Sequence, residues 1–318
     1  MDTNTFKESL KRIDKDKSIS KELLKYCRLK YGDIWTDEKT GHKVGCLDAS
    51  SKRDIKKIML DEKASLGIQD PPYNFIALEE KELKKFISWC NKWIDNTYNS
   101  LQTNASLYIW LGADQKNWFS PLPEFMIMMK NYGKFISKSF ITMRNQRGYG
   151  TQKNWMSVRQ ECLYYIKGQP EFKVIYTDMP KVLKGYFKAI SGEKVENIRR
   201  SKSTNIRPGN VWFDIQQVFY KMKENVPGCF LQKPIKAIER IIMASSSTND
   251  LIVDFFSHSG TTLIAAENLN RRCYTLDIDP IFCEITIRRL EHLRNTGEDG
   301  WQTKNPFEGA KKGDLLTC

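Results

Sequence analysis

The stretch Leu66-Gly67-Ile68-Gln69-Asp70-Pro71-Pro72-Tyr73-Asn74-Phe75 decides the fold. A short apolar run ends in an acid, a rigid proline pair and an aromatic, and helix-forming sequence follows. It reads as the C-terminal end of a parallel strand, the place where ligands bind in open α/β sheets. Far downstream, Leu251-Ile252-Val253 runs into Asp254-Phe255-Phe256-Ser257-His258-Ser259-Gly260-Thr261-Thr262 and again into helix-forming sequence. The first segment sets a carboxylate, a proline carbonyl and an aromatic face side by side. The second is a small-residue turn opening a helix. A planar, amino-bearing substrate suits the first and a nucleotide-like ligand the second.

Outward from these two segments the pattern alternates. Upstream, Lys43 to Leu47 reads as a short strand and residues 51–63 as a helix. Residues 79–100 carry Leu83, Phe86, Ile87, Cys90, Trp93, Ile94 and Tyr98 at helical spacing, a stripe that belongs to the core. A strand over Ala105 to Leu111, a helix over 121–131 and a strand near 135–143 follow. Arg144 to Gly150 reads as a basic, glycine-punctuated loop carrying Arg144 and Arg147, and Glu161 to Lys167 as the next strand. Downstream, helix 234–245, strand 251–256, helix 261–270, strand 273–278 and helix 281–294 complete the series. Strands and helices alternating at these lengths predict an α/β fold, a mostly parallel sheet with helices on both faces.

Two stretches break the alternation. Residues 1–42 are charged and helix-prone, with Lys21 to Lys30 the clearest periodic piece, and read as an N-terminal helical extension. Residues 168–210 hold nine Lys and Arg against four Asp and Glu, with aromatics in no clear period, so they read as an insertion outside the sheet. The expected organisation is therefore 1–42, a first half over 43–167, the insertion over 168–210, a second half over 211–297 and a polar tail over 298–318.

At 318 residues the chain can bury a sizeable core, and its net charge of +13 favours a polyanionic partner. No apolar run is long enough to span a bilayer, and the N-terminus lacks the apolar stretch of a signal peptide. The 8 cysteines form no C-x-x-C pair and the 3 histidines are scattered, so neither a disulfide framework nor a metal site is expected. Reduced thiols and the absence of a leader make the cytoplasm the expected compartment.

The order of the motifs carries a resemblance. Asp70-Pro71-Pro72-Tyr73, then Gln232-Lys233-Pro234, then Phe256 to Thr262, then Asp277-Ile278-Asp279-Pro280 resembles the β group of amino-methylating DNA methyltransferases, over roughly Lys43 to Arg294. That resemblance implies a Rossmann-like methyltransferase fold with S-adenosylmethionine as cofactor, a catalytic half first, a target-recognition insertion and a cofactor-binding half last. It implies double-stranded DNA as partner. It leaves open a cognate restriction endonuclease and a homodimer.

The resemblance also distributes roles. Asp70 and the Pro71 carbonyl would accept the hydrogens of an exocyclic amine whose lone pair must localise as the nitrogen turns tetrahedral. Tyr73 would stack on the flipped base. Lys233, beside Gln232, would meet the cofactor's carboxylate, with Ser259, Gly260, Thr261 and Thr262 supplying hydrogen bonds. Asp277 would accept from ribose hydroxyls. Cys46, Leu47, Phe256 and Ile278 would wall the adenine, and an acid that many relatives carry at the position of Gly45 is missing or replaced by Asp48. His258 stands where the family's loop has its first glycine; histidine tolerates left-handed backbone better than most residues. Arg144, Arg147, Arg199, Arg200 and Lys202 would contact DNA. An aspartate heading the motif leans toward adenine N6, because relatives acting on cytosine N4 more often begin with serine. Cytosine N4 remains the alternative within the class. A non-catalytic nucleic-acid-binding protein on a decayed methyltransferase fold is the alternative outside it, and an RNA or protein-glutamine methyltransferase a third.

Overall fold

A computed structural model describes residues 10–13, 15–72, 80–114, 117–149, 152–181, 187–196 and 203–309. Its centre is a nine-stranded sheet. In chain order the elements are α1 (Lys17–Leu23), β1 (Ile34–Thr36), β2 (Lys43–Cys46), α2 (Lys52–Met59), β3 (Ala64–Gln69), α3 (Glu80–Ser100), β4 (Leu101–Trp110), α4 (Leu122–Tyr132) and β5 (Ile136–Tyr149). There follow β6 (Ser157–Lys167), β7 (Phe187–Ile190), β8 (Glu193–Glu196), β9 (Val211–Trp212), α5 (Ile235–Ser245), β10 (Leu251–Asp254), α6 (Thr261–Asn268), β11 (Arg272–Asp277) and α7 (Pro280–Thr296).

The strand order is β1-β2-β11-β10-β3-β4-β6-β5-β9. The five strands from β2 to β4 are mutually parallel, while β1, β6 and β5 join antiparallel. Side chains alternate between the faces, as the pleat requires. Leu66, Ile68, Tyr108, Trp110 and Ile252 pack under α5, α6 and α7. Leu107, Ile109, Leu251 and Val253 pack under α2, α3 and α4, where Phe86, Cys90, Trp93 and Ile94 line up as their spacing predicts. A parallel sheet covered on both faces follows from strands that are apolar on both sides.

The placement of β3 beside β10 positions the site. Ile252 pairs with Leu66 and Val253 with Gly67, although the two strands lie far apart in the chain. From β3 the chain moves outward through α3 to β4, and from β10 it moves the other way through α6 to β11. That reversal opens a crevice at the C-terminal ends of β3 and β10, the switch point at which open α/β sheets hold ligands. The Gln69 side chain bridges the crevice floor, its Oε1 accepting from Phe255 N at 2.9 Å.

Three segments depart from the reading of the sequence. Arg144 to Tyr149 is not a loop but the outer part of β5, paired with β6 as far as Tyr149 opposite Ser157. The ladder absorbs the glycine through a register irregularity between Arg144 and Tyr149, so backbone pairing overrides the local turn signal. The helix expected over Lys21 to Lys30 lies earlier: α1 starts at Lys17, where the Asp16 side chain caps it, and a tight turn closes at Tyr26. Residues before Lys43 also supply β1, whose Ile34-Trp35-Thr36 is strand-prone but short enough to be hidden among charges. Between 168 and 210, β7 and β8 form a separate two-stranded sheet. The flanking legs pair with each other, Thr177 N donating to Ile206 O at 2.8 Å and Ile206 N to Met179 O at 2.9 Å. No described helix is long and apolar enough to cross a membrane.

Candidate active site

A cavity of about 450 Å³ opens at the switch point, lined by Asp70, Pro71, Pro72 and Lys233 together with Leu47, Asp48, Phe256, His258, Asp277 and Ile278. The two segments singled out in the sequence thus meet in one cavity. A larger cavity of about 800 Å³, lined among others by Tyr108, Tyr164, Phe172 and Arg240, lies beside the insertion and has no carboxylate in its wall among the described residues.

Asp70 follows β3 directly, and its Oδ2 accepts from Lys233 Nζ at 2.7 Å. Burial pushes its carboxyl above the usual range and the lysine opposes that push. Lys233 is itself almost enclosed, with its Nζ 5.5 Å from the centre of the Trp110 ring. Its backbone is fixed from both sides. The Gln232 side chain accepts from Val226 N at 3.0 Å and donates to Glu224 O at 2.7 Å, while the Thr261 hydroxyl donates to Lys233 O at 3.3 Å. Gln232 therefore acts on the site through the loop it ties down. Tyr73 lies outside the described residues.

The loop after β10 has the backbone that its residues suggest. His258 has φ 45° and Gly260 φ 75°, both left-handed. At Gly260 a side chain would also meet Thr286 of α7 at 3.0 Å, so glycine is needed there twice over. His258 N donates to Asp277 Oδ2 at 3.0 Å, and its ring lies 4.8 Å from that of Phe282. Asp279 N donates to the other oxygen of Asp277 at 3.0 Å. Burial nevertheless raises Asp277 to about 6. Phe256 is held edge-on by Trp89 and Trp93, at 5.6 and 5.3 Å between ring centres, and presents itself to the cavity with Leu47 and the exposed Ile278.

Other residues singled out in the sequence do not line the cavity. Cys46 is buried beneath it, its Sγ donating to Ile278 O at 3.7 Å. Ser259, Thr261 and Thr262 are buried in the turn itself, with the Ser259 and Thr261 hydroxyls 3.1 Å apart. A side chain at Gly45 would come within 2.7 Å of Leu47 Cδ1, so an acid there would have to displace Leu47, whereas Asp48 does reach the cavity. Arg144 is exposed on β5 opposite Arg159. Arg147 lies further out on the same strand, and Arg199, Arg200 and Lys202 lie outside the described residues.

The structure adds groups to which the sequence assigned no role. Asp254, at the end of β10, accepts from Phe256 N at 2.9 Å and from the Thr262 hydroxyl; burial and the neighbouring Asp70 and Asp277 raise it to about 7. Arg289 is fully buried on α7 and donates to Ser259 O, Glu224 O and Asp299 O at 2.9, 3.0 and 2.7 Å. It clamps the Gln232-Lys233 loop to the turn after β10. A buried arginine in an amphipathic helix looks like a solvated one until its carbonyl partners are known.

The model of a family described as DNA methylase matches residues 64–288, which spans both sides of this cavity. The chain belongs to the DNA methylase family. It is 25% identical to the Type II methyltransferase M.HpaI of Haemophilus parainfluenzae over 240 residues, 74% of this chain and 70% of that protein. It is 26% identical to M1.MboII of Moraxella bovis over 259 residues, covering 75% and 91%. The DNA adenine methyltransferase YhdJ of Escherichia coli is 27% identical over 250 residues, covering 75% and 79%. Among solved structures, the cytosine-N4-specific PvuII DNA methyltransferase superposes with a TM-score of 0.57 at 14% identity, covering 81% of this chain and 89% of that one. A Thermus thermophilus protein described as a DNA modification methylase, solved with S-adenosyl-L-methionine, gives 0.51 at 17%, covering 82% and 98%. These two share the Rossmann-like methyltransferase fold seen here.

Proposed function

We propose that this DNA methylase moves a methyl group from S-adenosylmethionine to the N6 amine of an adenine flipped out of duplex DNA, as the modification partner of a restriction endonuclease in the cytoplasm. The observation that carries the reading is the juxtaposition at the switch point: the Asp70 carboxylate and Pro71 line the same cavity as the apolar slot and Asp277. The names of the relatives, Type II methyltransferases and a DNA adenine methyltransferase, support the substrate and the restriction-modification setting. The net charge of +13 suits a duplex.

The cavity fits the cofactor. Leu47, Phe256 and Ile278 offer apolar surface to a base, and Asp277 offers a carboxylate to ribose hydroxyls. The cavity has more carboxylates than cations, which suits a ligand with a net positive charge. When bound, the cofactor supplies an electrophilic methyl group on a sulfonium. The chain's own groups do the rest. Asp70 and the Pro71 carbonyl accept the amine hydrogens, drawing the lone pair out of the ring as the nitrogen becomes tetrahedral. Lys233 opposes the upward push of burial on the Asp70 carboxylate and favours its charged form. Tyr73, next along the chain, would hold the flipped base by its face.

For DNA, the β5–β6 hairpin extends beyond the end of β4, since Trp110 pairs with Cys162 while β6 begins at Ser157. It carries Arg144, Arg147 and Arg159 past the edge on which Asp70 sits. We assign phosphate contacts to these residues and to Arg199, Arg200 and Lys202, and sequence reading to the insertion over 168–210. A homodimer would present two such surfaces to a duplex.

Mapping modified bases in DNA from cells expressing the wild-type chain or its Asp70→Ala variant tests the whole reading. N6-methyladenine in one short sequence context, absent with the variant, is the expected result. Cytosine N4 methylation would replace the target. An unmodified genome, given soluble folded protein, would leave the non-catalytic alternative.

A further inference from the structure

We propose that Trp118, in the loop between β4 and α4, enters the base stack of duplex DNA and occupies the space that the flipped base leaves. The proposal rests on the reading of this chain as a methylase that flips its target base.

The chain has eight tryptophans. Trp93, Trp110, Trp212 and Trp301 are buried, and Trp35 and Trp89 pack partly buried against the core. Trp118 and Trp155 are each 91% exposed. A ring of that size is ordinarily covered, so two left open to water on one edge of the sheet mark a contact surface. Gln69 of β3 pairs with Ile109 of β4, which starts the loop after β4 beside Asp70. In the strand order that loop lies on the side of Asp70 away from β10 and β11, and hence away from Asp277. Trp155 lies in the turn between β5 and β6, the hairpin that extends beyond the end of β4.

The loop holds Trp118 in a left-handed backbone, φ 54°, and Phe119 likewise at φ 64°. Two successive residues with side chains in that region are strained, and such strain persists only where the surroundings fix it. Here Phe119 N donates to Asp114 O at 3.0 Å and Ser120 N to Asn117 O at 2.9 Å. The hydroxyl of the buried Ser120 donates to Glu124 Oε1 of α4 at 3.0 Å. The indole is thus presented from a fixed frame, and a preformed wedge loses little freedom on insertion.

Duplex DNA is the occupant that the surroundings favour. Arg144 and Arg159 are exposed and stand opposite each other on β5 and β6, just outward from β4. Cations beside an open aromatic suit a polyanion built of stacked bases, as does the net charge of +13. Extruding one base leaves its two neighbours unstacked, and an inserted aromatic side chain covers them. Of the two exposed tryptophans, Trp118 is borne by the strand next to β3, whereas the hairpin of Trp155 lies one strand further out. Trp118 therefore serves the target position and Trp155 the flanking duplex.

Single-turnover methyl transfer by the full chain tests this on two duplexes that carry the methylated sequence context found by mapping. In one the target base is paired; in the other it is mispaired, so that extruding it costs less. Trp118→Ala should slow transfer about ten- to a hundredfold on the paired duplex and only a few-fold on the mispaired one. Trp118→Phe should keep most of the rate. Trp118→Gly relieves the left-handed strain, so it should match or exceed wild-type thermal stability while slowing transfer as alanine does. Trp155→Ala should weaken affinity for both duplexes alike. Equal loss on both duplexes in Trp118→Ala, no loss on either, or rescue by the mispair in Trp155→Ala alone would each overturn the assignment. A wild-type chain that methylates neither duplex would instead reject the proposed function, and this assignment with it.

Discussion

β3 and β11 each deliver an aspartate to the same cavity, yet the two carboxylates keep different company. Asp70 meets a cation, Lys233 Nζ at 2.7 Å. Asp277 meets backbone amides, those of His258 and Asp279 at 3.0 Å each. Burial pushes both upward, but only Asp70 has a full charge opposing it, and Asp277 is carried to about 6. Between the two strands β10 ends in Asp254, buried and held by the Phe256 amide and the Thr262 hydroxyl, which reaches about 7. A cation fixes an acceptor for chemistry, whereas amides alone leave a carboxylate that titrates close to neutrality.

The sharpest way to break this contrast is to neutralise Asp70. Asp70→Asn keeps the shape, leaves Lys233 without its counter-charge and weakens the acceptor where charge develops on nitrogen. Methyl transfer to duplex DNA should fall on the order of 100- to 1000-fold, with cofactor affinity changed only a few-fold. Thermal stability should fall too, because a buried cation loses the counter-charge at 2.7 Å from it. Adding Lys233→Met should restore the melting temperature but not turnover, and recovery of turnover in that double variant would separate Asp70 from the chemistry.

Asp254 gives the next largest effect, read as stability against pH. Its folded pKa of about 7 lies above the ordinary value of 3.8, so the folded state holds the proton more tightly than the unfolded one. Stability is therefore greatest on the acid side of that window and falls as pH rises from about 4 to about 7. Asp254→Asn keeps an acceptor for the Phe256 amide without the charge. It should flatten this fall and stabilise the protein at pH 8 by roughly 1–3 kcal/mol. Denaturant unfolding across that range measures it, and an unchanged slope would mean that Asp254 stays ionised.

These electrostatics show where the sequence stops being readable. The strand ends at Asp70, Asp254 and Asp277 were legible because apolar runs of strand length stop abruptly at acids and turns. The stripe of α3 was legible because helical spacing survives without any knowledge of its partner. The pairing of β5 with β6 beyond Arg144 was not, since Gly148 signals a turn locally while the ladder that overrides it is formed with residues further along. The lysine of Gln232-Lys233-Pro234 was legible as part of a motif, but its ion pair with Asp70 depends on how two distant loops meet. Arg289 depends on the same kind of meeting. Side chains that act through tertiary contact leave no period and no motif.

Asp277 sharpens the comparison through binding. If it accepts from ribose hydroxyls, it must be ionised, and its pKa of about 6 in the folded protein puts its protonation within an accessible range. Affinity for S-adenosylmethionine should be constant above about pH 7 and fall several-fold, up to about tenfold, by pH 5. Asp277→Asn should bind more weakly at pH 8 and lose that dependence. Calorimetry at fixed ionic strength checks both. A wild-type affinity that is flat from pH 5 to pH 8 would place the ligand elsewhere.

The smallest effect concerns the amide that Asp277 receives. His258 sits at φ 45°, and its N–H reaches Asp277 Oδ2 only because the backbone turns left-handed there. Glycine accepts that backbone without strain and gives up the packing of the imidazole on Phe282. His258→Gly should therefore hold cofactor affinity within about threefold of wild type. His258→Val resists positive φ and should cost about 1–2 kcal/mol of stability or let the turn relax. If it relaxes, Asp277 is deprived of one of its stabilising amides, and its carboxyl moves further up. The acid limb of cofactor binding should then shift to higher pH in the valine variant and not in the glycine variant. A shift of equal size in both would mean that the imidazole ring, rather than the backbone geometry, sets the charge state of Asp277.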